Sequence, residues 1–350
     1  MTDTLSLRTL NRTLLQRQFL NRRTELPALD VVTRLVAMQS QEPNWPFIGL
    51  WTRIANFSRE ELTVLLEDEA VLRSTLIRVT QHLAAAEDLG WLRHTVQHMV
   101  LRHLKSPYYA EEITGLDHDE LAEAGRVILT GRRLPRRELA KRLAERFPGH
   151  LPARLADAVE TLHPLVASPE SAGWGTWGSR SGKEVALATD VTKRPLDGPD
   201  AEKLILRYLA GFGPASIMDI QAWAGLTRLR EVVEMLRPRL RVYRAPDGRE
   251  LFDLPESSIA DAGETVPARF LPGYDNVLLG HRDRTRVVSE TDRKRVTPGN
   301  ALVLPTFLVD GFVAGLWSVK GSRLVISPFR RLSEADTAEL TAEAEQLYDV

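Results

Sequence analysis

Two glutamines separated by one serine, Gln39-Ser40-Gln41, stand where an apolar helical pattern meets Glu42-Pro43. A neutral amide both donates and accepts hydrogen bonds but takes up no proton near neutral pH, so this pair suits holding a water or touching a base edge, not general-base catalysis. A local role is the alternative: a helix end leaves about four carbonyls without partners, and Gln39 and Gln41 are placed to cap them. Ala28, Val32, Leu35 and Gln39 fall on one stripe, so Gln39 occupies a position that the pattern assigns to the core. Pro43 disfavours helix at Glu42, which predicts that the chain leaves the helix near Ser40 and runs extended, with residues two apart facing the same way.

A second polar concentration is FLPGYDNVLLGHRDRTRVV, residues 270–288, with Tyr274, Asp275, Asn276, His281, Arg282, Asp283, Arg284 and Arg286. Burying such a mixture requires that its groups be paired. The spacing His281-x-Asp283 allows an acid/base or metal pair, but no third ligand is evident, so a structural network or a DNA-contacting loop is the expectation. A third group, Arg132, Arg133, Arg136 and Arg137, backed by Lys141 and Arg142, suits phosphate contact. It equally suits a solvated face paired with Glu138 and Glu145. Trp174 and Trp177 lie between glycines and are expected to pack a hairpin onto its own core.

These groups need elements to position them. A chain of 350 residues, 43% hydrophobic and 27% charged, can hold two or three domains. With no cysteine it has no disulfide, catalytic thiol or thiolate metal site, and the 8 histidines show no ligand spacing, so neither metal nor cofactor is expected. There is no long apolar run and no signal-peptide pattern, which predicts a cytoplasmic chain with no membrane partner. No coiled coil or dimer helix is visible, and a monomer is expected. The net charge of −1 excludes a uniformly basic coat but not one basic face.

The pattern repeats along the chain. AEKLILRYLAGFG is a helix stopped by Gly213-Pro214; ASIMDIQAWAG is a short helix ending at Gly225; LTRLREVVEMLRPRL restores the helical period; and RVYRAPDGRELFDLP places two strands around the turn Pro246-Asp247-Gly248. Helix, short helix, helix and hairpin is the order of a winged helix. The same order runs from AEAGRVILTG to WGTWGSRSGKEVALAT, where Gly175, Gly178 and Gly182 punctuate a wing. A weaker version runs from Ala28 to Leu89, where ALDVVTRLVAMQ is a helix and Ser58 with Glu61 has the form of a capping box. The predicted fold is α+β and mainly helical: three tandem winged helices, then a β-rich C-terminal segment and a final acidic helix. The divisions are 1–105, 106–197, 198–262 and 263–350.

RLVAMQSQEPNWPFIGLWTRI, YLAGFGPASIMDIQAWAGL, FLPGYDNVLLGHRDRTRV and TFLVDGFVAGLW together resemble the signatures of the AlkZ-like DNA glycosylases, a family that includes the YcaQ branch, over nearly the whole chain. The resemblance implies a C-shaped tandem winged-helix scaffold with a basic concave surface for duplex DNA carrying alkylated purines. It implies removal of bulky or crosslinking N7-alkylated purines without a Schiff base. The family's catalytic signature is glutamine, an aliphatic residue, then glutamine or aspartate; Gln39 and Gln41 match its two catalytic positions, whereas Ser40 stands where the aliphatic residue is usual. His281, Asp283 and Arg284 resemble family positions and are assigned to DNA or structural contacts. A noncatalytic winged-helix regulator is the alternative that the residues leave open.

Overall fold

A computed structural model describes residues 3–106, 112–175, 183–193, 195–299, 301–321 and 323–347. Helices and strands mix, with helices predominating. The chain forms two compact units, one of Met1–Gln39, Trp45–Glu61 and Ala201–Val350, the other of Ser40–Asn44 and Leu62–Asp200. No helix among the described residues is long and apolar enough to cross a membrane.

In the first unit, helix Ala201–Phe212 stops before Gly213-Pro214, and Ile217–Ala224 follows with a reciprocal Ser216–Asp219 capping box and a left-handed Gly225 at its end. Helix Arg230–Leu236 and the hairpin Arg241–Arg244 with Glu250–Asp253 complete the predicted order. Tyr208 stacks on Phe212 at 5.0 Å between ring centroids, and Trp223 packs against both, so this core is aromatic. The N-terminal helix Leu7–Arg17 is fastened to the hairpin by a buried bidentate pair, Arg17 to Asp253 at 2.6 and 2.7 Å. A four-stranded antiparallel sheet, in the order Arg323–Pro328, Phe312–Lys320, Thr306–Val309 and Arg269–Leu271, carries the last strands. Helix Glu334–Leu347 ends the described chain.

In the second unit, helices His118–Leu129, Arg136–Arg146 and Pro152–Leu162 close around Leu121, Leu129, Leu139, Leu143, Leu155 and Val159. Beside them, strand Val71–Thr75 pairs antiparallel with Gln81–Ala85 and with Leu165–Ala167, which pairs in turn with Glu184–Leu187. Residues 71–85 thus form a hairpin.

One local expectation is corrected. The helix beginning at Ala28 ends at Arg34, not near Ser40, because Val36 takes φ +67° and Met38–Gln39 is already extended. The Glu61 carboxylate accepts from the Ala28 N–H at 2.6 Å, so it serves the start of the Ala28–Arg34 helix as well as lying in the first turn of its own. Trp177, Gly178 and Gly182 lie outside the described residues.

Two histidines are sealed in these cores. His82 Nδ1–H donates to the Thr80 carbonyl at 2.8 Å and His281 Nε2–H to the Phe212 carbonyl at 3.0 Å, while the other ring nitrogen of each has no hydrogen-bond partner. Burial first, then the Arg78 and Arg286 charges respectively, pushes each down to about 3. The unfolded chain takes up these protons at about pH 6.5. The neutral rings therefore contribute stability that is complete above about pH 6.5 and is lost as pH falls through about 3. We expect His82→Gln with His281→Gln to be less stable at pH 7.5 but to show a shallower fall in Tm on acidification to pH 4.5, by calorimetry. Parallel Tm curves would contradict this.

Candidate active site

Gln39 follows the left-handed turn at Val36 and lies 6% exposed in the extended pair Met38–Gln39. Its backbone is held from below: the Asn276 amide donates to the Ala37 carbonyl at 2.9 Å. Gln39, Trp45, Arg53, Tyr274, Asp275 and Asn276 line a narrow recess whose cavity volume is about 10 Å³. About 10–15 Å³ is the least that admits one water. The recess takes a water and is far too small for a purine.

Its wall is made by close approach and by paired charge. A Cβ on Gly273 would lie 2.9 Å from the Trp45 indole nitrogen, and one on Gly49 would lie 2.8 Å from the Met38 methyl, so the loop and the helix Trp45–Trp51 touch backbone to side chain. Trp45 meets Trp317 edge-on at 6.0 Å. Arg53 grips Asp275 with both terminal nitrogens, at 2.9 and 2.8 Å, and donates to the Gly49 carbonyl at 2.8 Å. Asp275 also accepts from the Val277 N–H at 2.9 Å as the cap of helix Asn276–Leu279. Both carboxylate oxygens are therefore engaged by cations and amides, and Asp275 is not presented as a general base. Tyr274, at φ +61°, joins Val36 as a second left-handed non-glycine residue on this wall.

In the second unit, Arg73 fixes the other half of the motif. It donates to the carbonyls of Ser40 at 3.0 Å, Gln41 at 3.4 Å and Ser171 at 3.0 Å. The Ser40 N–H bonds to the Gln81 carbonyl at 2.8 Å, and the Gln81 N–H reaches the Gln41 side-chain oxygen at 3.4 Å. The Gln81 side chain rests on Thr75 and Glu160, and Lys183 donates to Glu160 at 2.7 Å, holding its carboxyl at about 2 against the burial that raises it. Gln41 itself is exposed.

The remaining predicted residues divide by environment. Arg133 pairs with Glu69 and Arg136 with Asp157 and Glu160, whereas Arg132 and Arg137 are exposed and make no ion pair among the described residues. His281 and Arg286 are buried, Arg286 donating to the Pro214 carbonyl at 3.1 Å. Asp283 accepts from Arg249 at 2.7 Å and from Thr285, leaving Arg282 exposed and Arg284 half-buried. Among the described residues no group of three or more acidic or histidine side chains could hold a metal. The recess residues Arg53, Asp275 and Asn276 were not predicted as its wall; the signal was the polar density at 274–276, which looked like a network without an address.

Ser40 is fully buried and its hydroxyl has no hydrogen-bond partner. An unpaired buried hydroxyl costs roughly 1–3 kcal/mol, so Ser40→Ala should raise stability by about 1 kcal/mol in urea unfolding and leave base release intact. A loss of stability would contradict the reading of this position as apolar.

The family described as DNA glycosylase AlkZ-like matches residues 32–350. The interstrand DNA cross-link repair glycosylase of Streptomyces sahachiroi is 27% identical over 352 residues, spanning 94% of this chain and 91% of that protein. The solved structure of Streptomyces sahachiroi DNA glycosylase AlkZ superposes with a TM-score of 0.83 at 26% identity, over 99% of this chain and 98% of that one. The chain belongs to the AlkZ-like family of DNA glycosylases, enzymes that hydrolyse N-glycosyl bonds.

Proposed function

We propose that this glycosylase removes bulky N7-alkylguanine adducts from duplex DNA, including interstrand crosslinks, with its attacking water positioned by Gln39 and Gln41. The observation that carries this is the recess at Gln39, which has room for one water and not for a base. N7-alkylation makes guanine a cationic leaving group, so the glycosidic electron pair departs with the base, neutralising it, and needs no general acid. The sugar develops oxocarbenium character. The water attacks its anomeric carbon and gives its proton to solvent, leaving an abasic site. Two neutral amides, two residues apart along the chain, orient that water and offer their dipoles to the developing positive charge. Because the base cannot enter the recess, a bulky adduct stays in an open cleft rather than being flipped into a closed pocket.

The repeated order of helices and hairpin supports a reading as three tandem winged helices, with divisions at 1–105, 106–197, 198–262 and 263–350. Exposed Arg132, Arg137 and Arg282 are assigned to phosphate contact. The name of the Streptomyces sahachiroi relative supports action on crosslinks, and self-resistance to a DNA-alkylating natural product is the physiological role that fits such a lesion.

A duplex with one defined N7-guanine adduct, incubated with enzyme and then cleaved with alkali at abasic sites, tests this. Gln39→Ala with Gln41→Ala should retain binding and lose at least about 100-fold in release rate, the scale of a lost water-positioning contact. Equal release by wild type and the double variant, or none by either, would overturn the mechanism.

A further inference from the structure

Arg284 is half-buried and has no carboxylate partner or side-chain hydrogen bond among the described residues. Another cation, Arg293, is close enough to act on it electrostatically. Burial first, and then that like charge, holds its guanidinium below the ordinary value. Such a cation is poorly satisfied within the folded chain, and an anion from outside would satisfy it.

The surroundings add positive charge. Helix Arg293–Val296 presents exposed Arg293, Lys294 and Arg295, and the segment after strand Arg323–Pro328 adds exposed Arg330. Arg295 joins the two, lying 3.9 Å over the Phe329 ring and donating to the Phe329 carbonyl at 3.3 Å. The acids nearby do not cancel this. Asp292 is shared at 3.6 Å between Arg295 and Arg330, and Glu290 meets Arg293 only at 3.7 Å between exposed side chains.

The helix that carries these cations is tied through the backbone to the wall of the recess. The Leu304 N–H bonds to the Val296 carbonyl at 3.0 Å, and the adjacent Val303 carbonyl lies 3.1 Å from where a Cβ on Gly273 would stand. Gly273 lines the recess beside Gln39. The geometry points to Arg284, Arg293 and Lys294 as a backbone-phosphate site that anchors duplex DNA next to the recess. Arg284 supplies the fixed, partly desolvated contact and the two exposed side chains supply attraction without sequence preference. This inference rests on the proposed action on duplex DNA.

Binding of a short undamaged duplex, followed by fluorescence anisotropy at several salt concentrations, tests the site. Each phosphate contact adds about 0.9 to the slope of log affinity against log salt, so R284Q with R293Q and K294Q should flatten the slope by roughly 2 to 3. The pair R293Q with K294Q, on exposed positions, should flatten it by about 1 to 2 and serves as the arm that leaves the interior untouched. An unaltered slope in both variants, with wild type still releasing adducted base, overturns this site and leaves the proposed function standing. A flattened slope in an enzyme that releases no base from any N7-guanine adduct supports the site and overturns the proposed function.

Discussion

A guanidinium and a carboxylate shut away from water must satisfy each other almost completely, and Arg53 with Asp275 does so at the wall of the recess. Two nitrogens meet two oxygens, a third bond runs to Gly49, and a backbone N–H completes the carboxylate; the Arg53 Nε alone has no partner. Because loss of either residue would strand the other's charge, the loop at residues 272–276 and the helix Trp45–Trp51 are fixed relative to each other. The same pair extends inward: Arg53 reaches Gln18 at 3.4 Å, and Gln18 donates to the Gly211 carbonyl at 2.6 Å. The recess, the N-terminal helix and the aromatic three-helix core thus share one polar framework.

That constraint shapes the chemistry. The carboxylate beside the recess is occupied, and the proposed mechanism therefore assigns the water to neutral amides. An amide orients water without taking its proton, which is sufficient when the leaving group already carries positive charge. The second half of the motif is held differently: Gln41 is exposed on a backbone clamped by Arg73 and Gln81, whereas Gln39 is buried. Ser40 between them is enclosed and unpaired, an apolar position filled by a hydroxyl.

Much of this was legible in the chain, because it is written in local chemistry. Gly213-Pro214, Gly225 and Pro246-Asp247-Gly248 punctuate elements wherever they fall. Tertiary effects were not legible. The helical stripe from Ala28 to Gln39 breaks after Arg34 because Val36 adopts a left-handed conformation that valine rarely takes, and Asn276, 239 residues away along the chain, holds the segment that follows. Glu61 has the spacing of a local cap yet its carboxylate is used by Ala28. Among the arginines, spacing could not separate Arg133 and Arg136, which are spent on internal acids, from Arg132 and Arg137, which are not.

The central claim is that base release proceeds on amides, with no titrating acid or base. The most direct measurement is the single-turnover rate of release from one fixed N7-guanine adduct across the pH range. The account predicts a rate constant that varies less than about threefold between about pH 5.5 and 8. A sigmoid or bell-shaped profile of tenfold or more within that range, reporting a carboxylate or histidine that must change protonation for turnover, would contradict it.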